Sequence, residues 1–140
     1  MRIRFSAPLV VVALVVVTCG AAPESAPSGS QVVAEMTDYK ITVNLPSVKA
    51  GKIKLGVRNI ANMEHSFEVL KTDLAHDKLP VDGASAKARE DGKVGDIPSI
   101  AAGKSAAVTL DLAAGKYVFI CNIAGHYQLG MHTVFTVDPP

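Results

Sequence analysis

The sequence predicts an all-β fold, a sandwich of two antiparallel sheets with one short helical or irregular excursion. Two observations predict it. From residue 31 onward the apolar residues recur mostly at every second position, and turn signals separate runs of strand length. Such alternation arises when each sheet places one face on the core and the other in solvent. The 140 residues leave room for one domain of this kind.

The chain begins with a predicted export signal over residues 1–19. Arg2 and Arg4 form a positively charged segment, and an apolar run over residues 7–17 follows it. This run is short for a membrane span, which favours a signal peptide over a retained transmembrane anchor. The sequence therefore predicts a domain that works outside the cytoplasm, in the periplasm or on the outer cell surface.

The export signal has two alternative ends. Residues 16–19, Val-Val-Thr-Cys, are similar to a bacterial lipobox, in which Cys19 becomes the lipidated first residue. The alternative is ordinary cleavage after Ala22. Residues 20–30 are rich in Ala, Pro, Ser and Gly, which is typical of a flexible tether. We favour the lipid anchor because a tether of this kind joins an anchor to a domain, here residues 31–140.

The charge balance narrows the class of partner. Without Arg2 and Arg4 the chain carries 12 basic and 13 acidic residues. A nearly neutral chain has little attraction for nucleic acid or for an anionic membrane surface. We expect a monomer whose partner is a small ligand, a metal ion or another protein, and which touches the membrane only through its lipid anchor.

Predicted strands follow one another along the domain. Alternating runs cover residues 39–45, 52–58, 65–69, 108–112, 117–121 and 131–137. Turn signals containing glycine separate several of these runs. The stretch from Thr72 to Ile97 differs, because it is long, polar and contains glycine. It predicts an excursion packed over one edge of the sandwich, in which residues 84–90 have the composition of one or two helical turns.

Cys121 is the only cysteine that follows Cys19. Exported domains normally use their cysteines in disulfides, and Cys19 is either lipidated or removed. A lone thiol in an oxidising compartment is prone to oxidation unless it is buried or occupied. A metal ion bound to Cys121 would explain its presence.

The segment from Cys121 to Met131 places three metal-binding side chains at steps of five. Cys121 has the parity of Phe119 and is predicted to point into the sandwich as its strand ends. Met131 has the parity of Phe135 and is predicted to point inward as the next strand begins. His126 lies on the loop between them. The pattern predicts three donors at one end of the sandwich.

A fourth donor is expected from a distant strand. His65 has the parity of Phe67 and begins its own predicted strand. Two imidazoles and a thiolate with a weak axial thioether form the blue-copper electron-transfer site, whereas structural zinc prefers four strong ligands. The donor set therefore indicates one copper ion that cycles between Cu(I) and Cu(II).

The chain resembles the cupredoxins, the small blue-copper proteins with a Greek-key β-sandwich, over nearly the whole predicted domain. The residues that carry the resemblance are His-Ser-Phe from His65, the segment 115–121, Gly125-His126 and Gly130-Met131. The Cys-x4-His-x4-Met loop is similar to that of rusticyanin rather than that of plastocyanin. The resemblance implies His65, Cys121, His126 and Met131 as the ligands.

Three further residues are expected to support the ligands. Ser66 and Asn122 flank ligands, and Asn59 matches an asparagine that ends a strand in many cupredoxins. This chain has Ser66 where many members have Asn, as rusticyanin-like proteins do, and Ala124 where many have Pro. Neither difference removes a ligand.

The expected function is one-electron transfer without catalysis. Redox protein partners are predicted to dock near His126, on an apolar patch formed by Ile123, Ala124, Tyr127 and Leu129. The alternative is storage or delivery of copper outside the cytoplasm, which usually relies on Met-rich or His-rich clusters. Catalysis by a Cys121–His126 pair is disfavoured because the predicted strand buries the thiol. The remaining histidines, His76 and His132, are expected at the surface.

Overall fold

The computed structural model describes residues 22–140. The predicted export signal and Cys19 lie outside the described residues. Within residues 22–140 there are strands and no helix, which confirms the all-β prediction, and no helix long and apolar enough to cross a membrane is found there. The strands are β1 (Val32–Thr37), β2 (Lys40–Val43), β3 (Ser47–Lys49), β4 (Gly51–Asn59), β5 (His65–Lys71), β6 (Val81–Asp82), β7 (Lys87–Ala88), β8 (Lys93–Ile100), β9 (Ser105–Leu112), β10 (Gly115–Ile120) and β11 (His132–Asp138).

Two sheets form the sandwich. The first has the strand order β2-β1-β4-β9 and the second the order β3-β11-β10-β5-β8, while β6 and β7 form a separate hairpin. The prediction of purely antiparallel sheets is wrong, because β1 pairs with β4 and β3 pairs with β11 in parallel. Alternation in a sequence specifies which face of a strand is buried but not the direction of its neighbour. Strand direction therefore could not be predicted from the pattern.

The core lies between the two sheets and is built from the inward residues of each strand. The Phe119 ring lies 5.0 Å from the Phe67 ring and 4.8 Å from the Phe135 ring, measured between centroids. Each of these three side chains is fully buried, which stabilises the fold by about 2–3 kcal/mol per ring. Cys121 and Met131 belong to the same buried cluster, so the predicted donors lie at the margin of a rigid core.

A second apolar cluster covers the outer face of the five-stranded sheet. Leu70, Val118 and Ile120 of this face pack against Leu79, Ala88 and Tyr127. The expectation of one solvated face per sheet is therefore wrong for this sheet. The excursion covers its outer face rather than the edge of the sandwich, and residues 93–97 of the predicted excursion belong to β8.

The predicted helical turns over residues 84–90 are also wrong, since this segment forms the turn and second strand of the β6–β7 hairpin. The reason lies in the side chain of Asn122. Its Oδ1 accepts a hydrogen bond from Ala88 N at 2.9 Å, and its Nδ2 donates to Ala88 O at 2.9 Å. These two hydrogen bonds satisfy the N–H and C=O of Ala88, which would otherwise need a second neighbouring strand. They hold Ala88 in an extended conformation.

Residues 22–30 lie along the first sheet. Glu24 donates its backbone N–H to Gly103 O at 2.8 Å, and its carboxylate accepts from Lys104 Nζ at 2.8 Å and from Ser105 N at 3.0 Å. Exposed ion pairs contribute little to stability, so these contacts chiefly determine where the segment lies. The division into tether and domain stays a prediction.

Candidate metal centre

Three ligand atoms converge at one end of the sandwich. The Nδ1 atoms of His65 and His126 are 3.2 Å apart, and Cys121 Sγ lies 3.7 Å from the first and 3.5 Å from the second. A point equidistant from the three atoms is about 2.0 Å from each of them, close to the 2.0–2.3 Å at which imidazole nitrogen and thiolate sulfur bind first-row metals. The triangle therefore has the size of a metal site.

The five-stranded sheet brings His65 and Cys121 together. His65 is the first residue of β5, and Cys121 follows Ile120, the last residue of β10. Because β5 and β10 are adjacent antiparallel strands, the beginning of one meets the end of the other. Both side chains are fully buried, which confirms the orientation predicted from their parity.

Backbone hydrogen bonds close the loop that carries His126. Cys121 N donates to Met131 O at 3.0 Å, and Met131 N donates to His126 O at 3.1 Å. Gly125, directly before His126, has φ +82° and donates its N–H to Ala86 O at 2.8 Å. Only glycine adopts this conformation without strain. The loop is thus fixed at both ends and in the middle.

Met131 directly precedes β11 and is fully buried in the same cluster as Cys121. Its parity predicted this inward position. A thioether at the margin of a site that already holds two imidazoles and a thiol matches the weak axial donor of type 1 copper. Met131, the predicted axial donor, therefore lies in the buried cluster that contains Cys121.

Ser66 is the predicted supporting residue that contacts the sulfur. Its backbone N–H donates to Cys121 Sγ at 3.4 Å, and its Oγ lies 3.7 Å from Sγ. The hydroxyl is oriented by two further bonds, because Oγ accepts from Asn122 N at 3.0 Å and donates to Glu68 Oε2 at 3.2 Å. Burial raises the pKa of the Cys121 thiol. A bound cation reverses this effect by favouring the thiolate.

His65 is suited to bind a metal as a neutral imidazole. Burial lowers its pKa, and the nearby His126 lowers it further. Its Nδ1 faces the other two donors, while its Nε2 is buried without a hydrogen-bond partner among residues 22–140. An unsatisfied buried polar atom costs about 1–3 kcal/mol, and a redox or metal-binding role is one reason that a native structure retains such an atom.

Asn59 and Asn122 act on the segments around the ligands rather than on the sulfur. Asn59 Nδ2 donates to Met63 O at 2.7 Å and to Ile100 O at 2.8 Å, which fixes the turn that leads into His65. Asn122 joins the end of β10 to the β6–β7 hairpin, and its Nδ2 also donates to Glu90 Oε1 at 2.8 Å. Both side chains hold a ligand strand against a neighbouring segment.

His126 is half-buried beneath an apolar surface that differs from the predicted one. Ala124 and Leu129 are exposed there as expected, Leu129 to 59%. Tyr127 is buried instead and belongs to the second cluster. The Tyr39 ring takes its place, edge-on to the His126 ring at 5.7 Å between centroids.

Sequence reasoning missed the role of Tyr39 because its alternation placed it inside a strand. It lies in the turn between β1 and β2 with φ +61°. The apolar residues change from even-numbered positions, ending at Met36, to odd-numbered ones from Ile41, and this change was the available signal for that turn.

The donor set fits copper. Thiolate and thioether are soft ligands that favour Cu(I), and imidazole binds both oxidation states. Two imidazole nitrogens and one sulfur in a triangle, with a methionine beside it, form the arrangement of a type 1 copper site. His65, Cys121, His126 and Met131 are positioned in this way.

Solved structures share the fold. Auracyanin from the photosynthetic bacterium Roseiflexus castenholzii is 21% identical, with a TM-score of 0.58 over 76% of this chain and 95% of that one. Auracyanin A, a "blue" copper protein from Chloroflexus aurantiacus, is 18% identical, with a TM-score of 0.52 over 76% and 98%. Rusticyanin from Thiobacillus ferrooxidans is 19% identical, with a TM-score of 0.55 over 76% and 75%. This chain has the cupredoxin fold.

No protein-family model matches the chain, and no curated protein matches its sequence.

Proposed function

We propose that this protein binds one copper ion at His65, Cys121, His126 and Met131 and carries single electrons between redox partners. The observation that carries the proposal is the triangle of two Nδ1 atoms and one Sγ, whose centre lies about 2.0 Å from each donor. The blue copper protein auracyanin A has the same fold. The copper would supply the one-electron couple.

The chain contributes rigidity to that couple. Electron transfer is fast when the ligands need not move as the charge of the metal changes. His65 and Cys121 are held by adjacent strands, and the loop between Cys121 and Met131 is closed by backbone hydrogen bonds. The ligands therefore keep one geometry in both oxidation states.

The surroundings of the sulfur favour the reduced state. Phe67 and Phe119 exclude water from the core beside Cys121. A dry, apolar shell penalises the more highly charged oxidised centre. The Ser66 N–H, which donates to Sγ at 3.4 Å, withdraws electron density from the thiolate. Both effects raise the reduction potential.

We infer that partners dock over His126. Tyr39, Ala124 and Leu129 form an apolar surface around the most exposed of the predicted ligands. A small apolar surface is suited to brief, weak association. Electrons would then enter and leave through the His126 ring.

The proposed place of action is outside the cytoplasm. It rests on the predicted export signal and on the single thiol of the domain, which copper would protect from oxidation. A lipid on Cys19 would keep the protein at the membrane. Mass spectrometry of the mature protein distinguishes a lipidated Cys19 from cleavage after Ala22.

Electron transfer is favoured over storage or delivery of copper. Storage and delivery usually rely on clusters rich in exposed thioethers, yet of the three methionines in residues 22–140 Met36 and Met131 are fully buried and Met63 is half-buried. A carrier retains its copper through repeated oxidation and reduction. Incubation of the Cu(I) protein with a Cu(I) chelator therefore should remove the ion slowly, and rapid transfer would support delivery instead.

The direct test uses the chain from Ala22 onward with one equivalent of Cu(II). We expect an intense blue or green copper–thiolate absorption band and a reversible one-electron couple. Cys121→Ser should lose the band completely, while Met131→Leu should keep it with a changed potential. A colourless wild type, or a coloured Cys121→Ser variant, would refute the proposal.

A further inference from the structure

A second pair of histidines meets on the outer face of the five-stranded sheet. His76 comes from the excursion after β5, and His132 is the first residue of β11. Their Nδ1 atoms are 2.6 Å apart, and their rings lie at 4.7 Å between centroids. Both side chains are half-buried. The sequence placed them separately at the surface, 56 positions apart.

Tyr127 orients both members of the pair. Its hydroxyl donates to His76 O at 2.9 Å and accepts from Leu79 N at 2.8 Å, which fixes the backbone of the excursion at His76. Its ring lies 5.0 Å from the His132 ring between centroids. Tyr127 thus fixes the backbone that carries His76 and packs against the ring of His132, and buried groups beside metal ligands orient them in this way. The pair is therefore preorganised.

The surroundings of the pair suit a cation that keeps open coordination positions. Asp77, next to His76 in the chain, pairs its exposed carboxylate with Lys78 at 3.2 Å, so the two imidazoles are the protein donors of this pair. His76 also lines a cleft of about 310 Å³ between the excursion and the outer face of β10 and β11. Water or a small ligand in the cleft can complete the coordination of an ion at its edge.

This pair is separate from the main centre. Met131 and His132 are consecutive in the chain, but Met131 points into the core between the sheets while His132 points to the opposite side. The two sets of donors thus lie on opposite faces of the same sheet, and one ion cannot bind to both.

We propose that His76 and His132 form a second metal site, which takes a divalent first-row transition cation such as Zn²⁺ or Cu²⁺. Two Nδ1 atoms at 2.6 Å require a proton between them. A cation replaces that proton, which moves to Nε2 of the same ring, and both Nδ1 lone pairs then face the ion. Imidazole suits zinc, copper and nickel. The nitrogens must separate by 0.6 Å, from 2.6 Å to 3.2 Å, to reach the spacing of the main centre.

The site is tested by calorimetric titration of the chain with Zn²⁺. The wild type should bind one equivalent more than His76→Ala and than His132→Ala. His126→Ala is the matched control, because it disrupts the main centre and should retain the equivalent that depends on His76. The expected difference in Zn²⁺ stoichiometry between these variants does not depend on whether the main centre binds copper.

Tyr127→Phe separates orientation from ligation. It keeps the ring against His132 and loses the hydroxyl that holds His76. We expect the affinity of this site for Zn²⁺ to fall about 10-fold, while the number of bound Zn²⁺ ions stays the same. Loss of a residue that orients metal ligands typically has an effect of this size.

A measurement on the unaltered chain covers the case in which a variant fails to fold. Substoichiometric Cu²⁺, added after the main centre is filled with diamagnetic Cu(I), should broaden the ring-proton resonances of His76 and His132 through its unpaired electron. Equal Zn²⁺ stoichiometry in the wild type and the His76→Ala variant, or sharp His76 and His132 resonances with Cu²⁺ present, would overturn the proposal.

Discussion

The two faces of the five-stranded sheet differ in how firmly they hold their histidines. On the inner face, His65 is fully buried beside Cys121, which belongs to the buried cluster that contains Phe67 and Phe119. On the outer face, His76 and His132 are half-buried between a strand and an excursion. The same sheet thus offers a rigid centre suited to electron transfer and an open pair suited to exchangeable ions.

The largest expected effect compares consecutive residues of β10 that point to opposite faces. Phe119→Ala should lower the free energy of unfolding by about 3–5 kcal/mol and alter the copper absorption band, because Phe119 packs in the cluster that contains Cys121. Ile120→Ala should cost about 2–4 kcal/mol but leave the band unchanged, because Ile120 belongs to the outer cluster. Urea unfolding and absorption spectra measure both. An altered band in Ile120→Ala with an unaltered one in Phe119→Ala would contradict the assignment of faces.

The next effect concerns Glu68, a carboxyl buried on the outer face. Burial raises its pKa to about 7, although the Ser66 hydroxyl that donates to it opposes the shift. The folded protein therefore binds this proton more tightly than the unfolded chain does. The contribution of Glu68 to the free energy of unfolding is therefore largest at low pH. It decreases as the pH rises from about 4.5 to 7, and above that pH it is constant.

Glu68→Gln should remove this dependence. Above pH 7 we expect the variant to be more stable than the wild type, by on the order of 3 kcal/mol at most, with the advantage vanishing near pH 4.5. Unfolding by urea across this pH range provides the measurement. An advantage that grows as the pH falls would contradict the assigned sign.

Asn122 connects the two faces, since it follows Cys121 and binds the hairpin of the outer cluster. Asn122→Ala leaves the backbone N–H and C=O of Ala88 without partners and should cost about 2 kcal/mol. Amide hydrogen exchange should accelerate across residues 84–90. Asn44→Ala is a matched control, because the Asn44 side chain accepts one exposed hydrogen bond from Val33 N and its loss should cost less than 1 kcal/mol. Equal losses in the two variants would count against this role of Asn122.

The smallest effect is expected at Ser66. Ser66→Ala keeps the N–H bond to Cys121 Sγ and loses the hydroxyl at 3.7 Å. Because the hydroxyl donates its single proton to Glu68 Oε2, its oxygen faces Sγ and favours the more positive, oxidised centre. Ser66→Ala should therefore raise the reduction potential by at most roughly 20–40 mV, the equivalent of one weak hydrogen bond of about 0.5–1 kcal/mol, with little change in the absorption band. A lower potential in the variant, measured by voltammetry, would show that the hydroxyl donates to the sulfur instead.

The inner face could be predicted from the sequence and the outer face could not. Alternation placed Phe119, Cys121 and Met131 inside the sandwich, because packing against the opposing sheet alone determines which residues of a strand face inward. The outer cluster needs an irregular segment, and the positions of its residues depend on tertiary bonds such as that from Tyr127 to His76. No periodic signal encodes such bonds, so Tyr127 was assigned to the surface.

The same limit explains the missed members of the two sites. Tyr39 reaches His126 through a turn with positive φ, and His76 meets His132 across 56 positions. The four copper ligands could be predicted from the sequence because three of them share one loop and the fourth begins a regular strand. Local spacing identifies a site when regular strands carry its residues.

X-ray absorption at the copper edge of the protein loaded with one equivalent of copper identifies the atoms bound to the ion. We expect two nitrogen ligands at about 2.0 Å and one sulfur ligand at about 2.3 Å, with the sulfur lost in Cys121→Ser. A copper ion coordinated only by nitrogen and oxygen in the wild type would contradict the proposed ligand set.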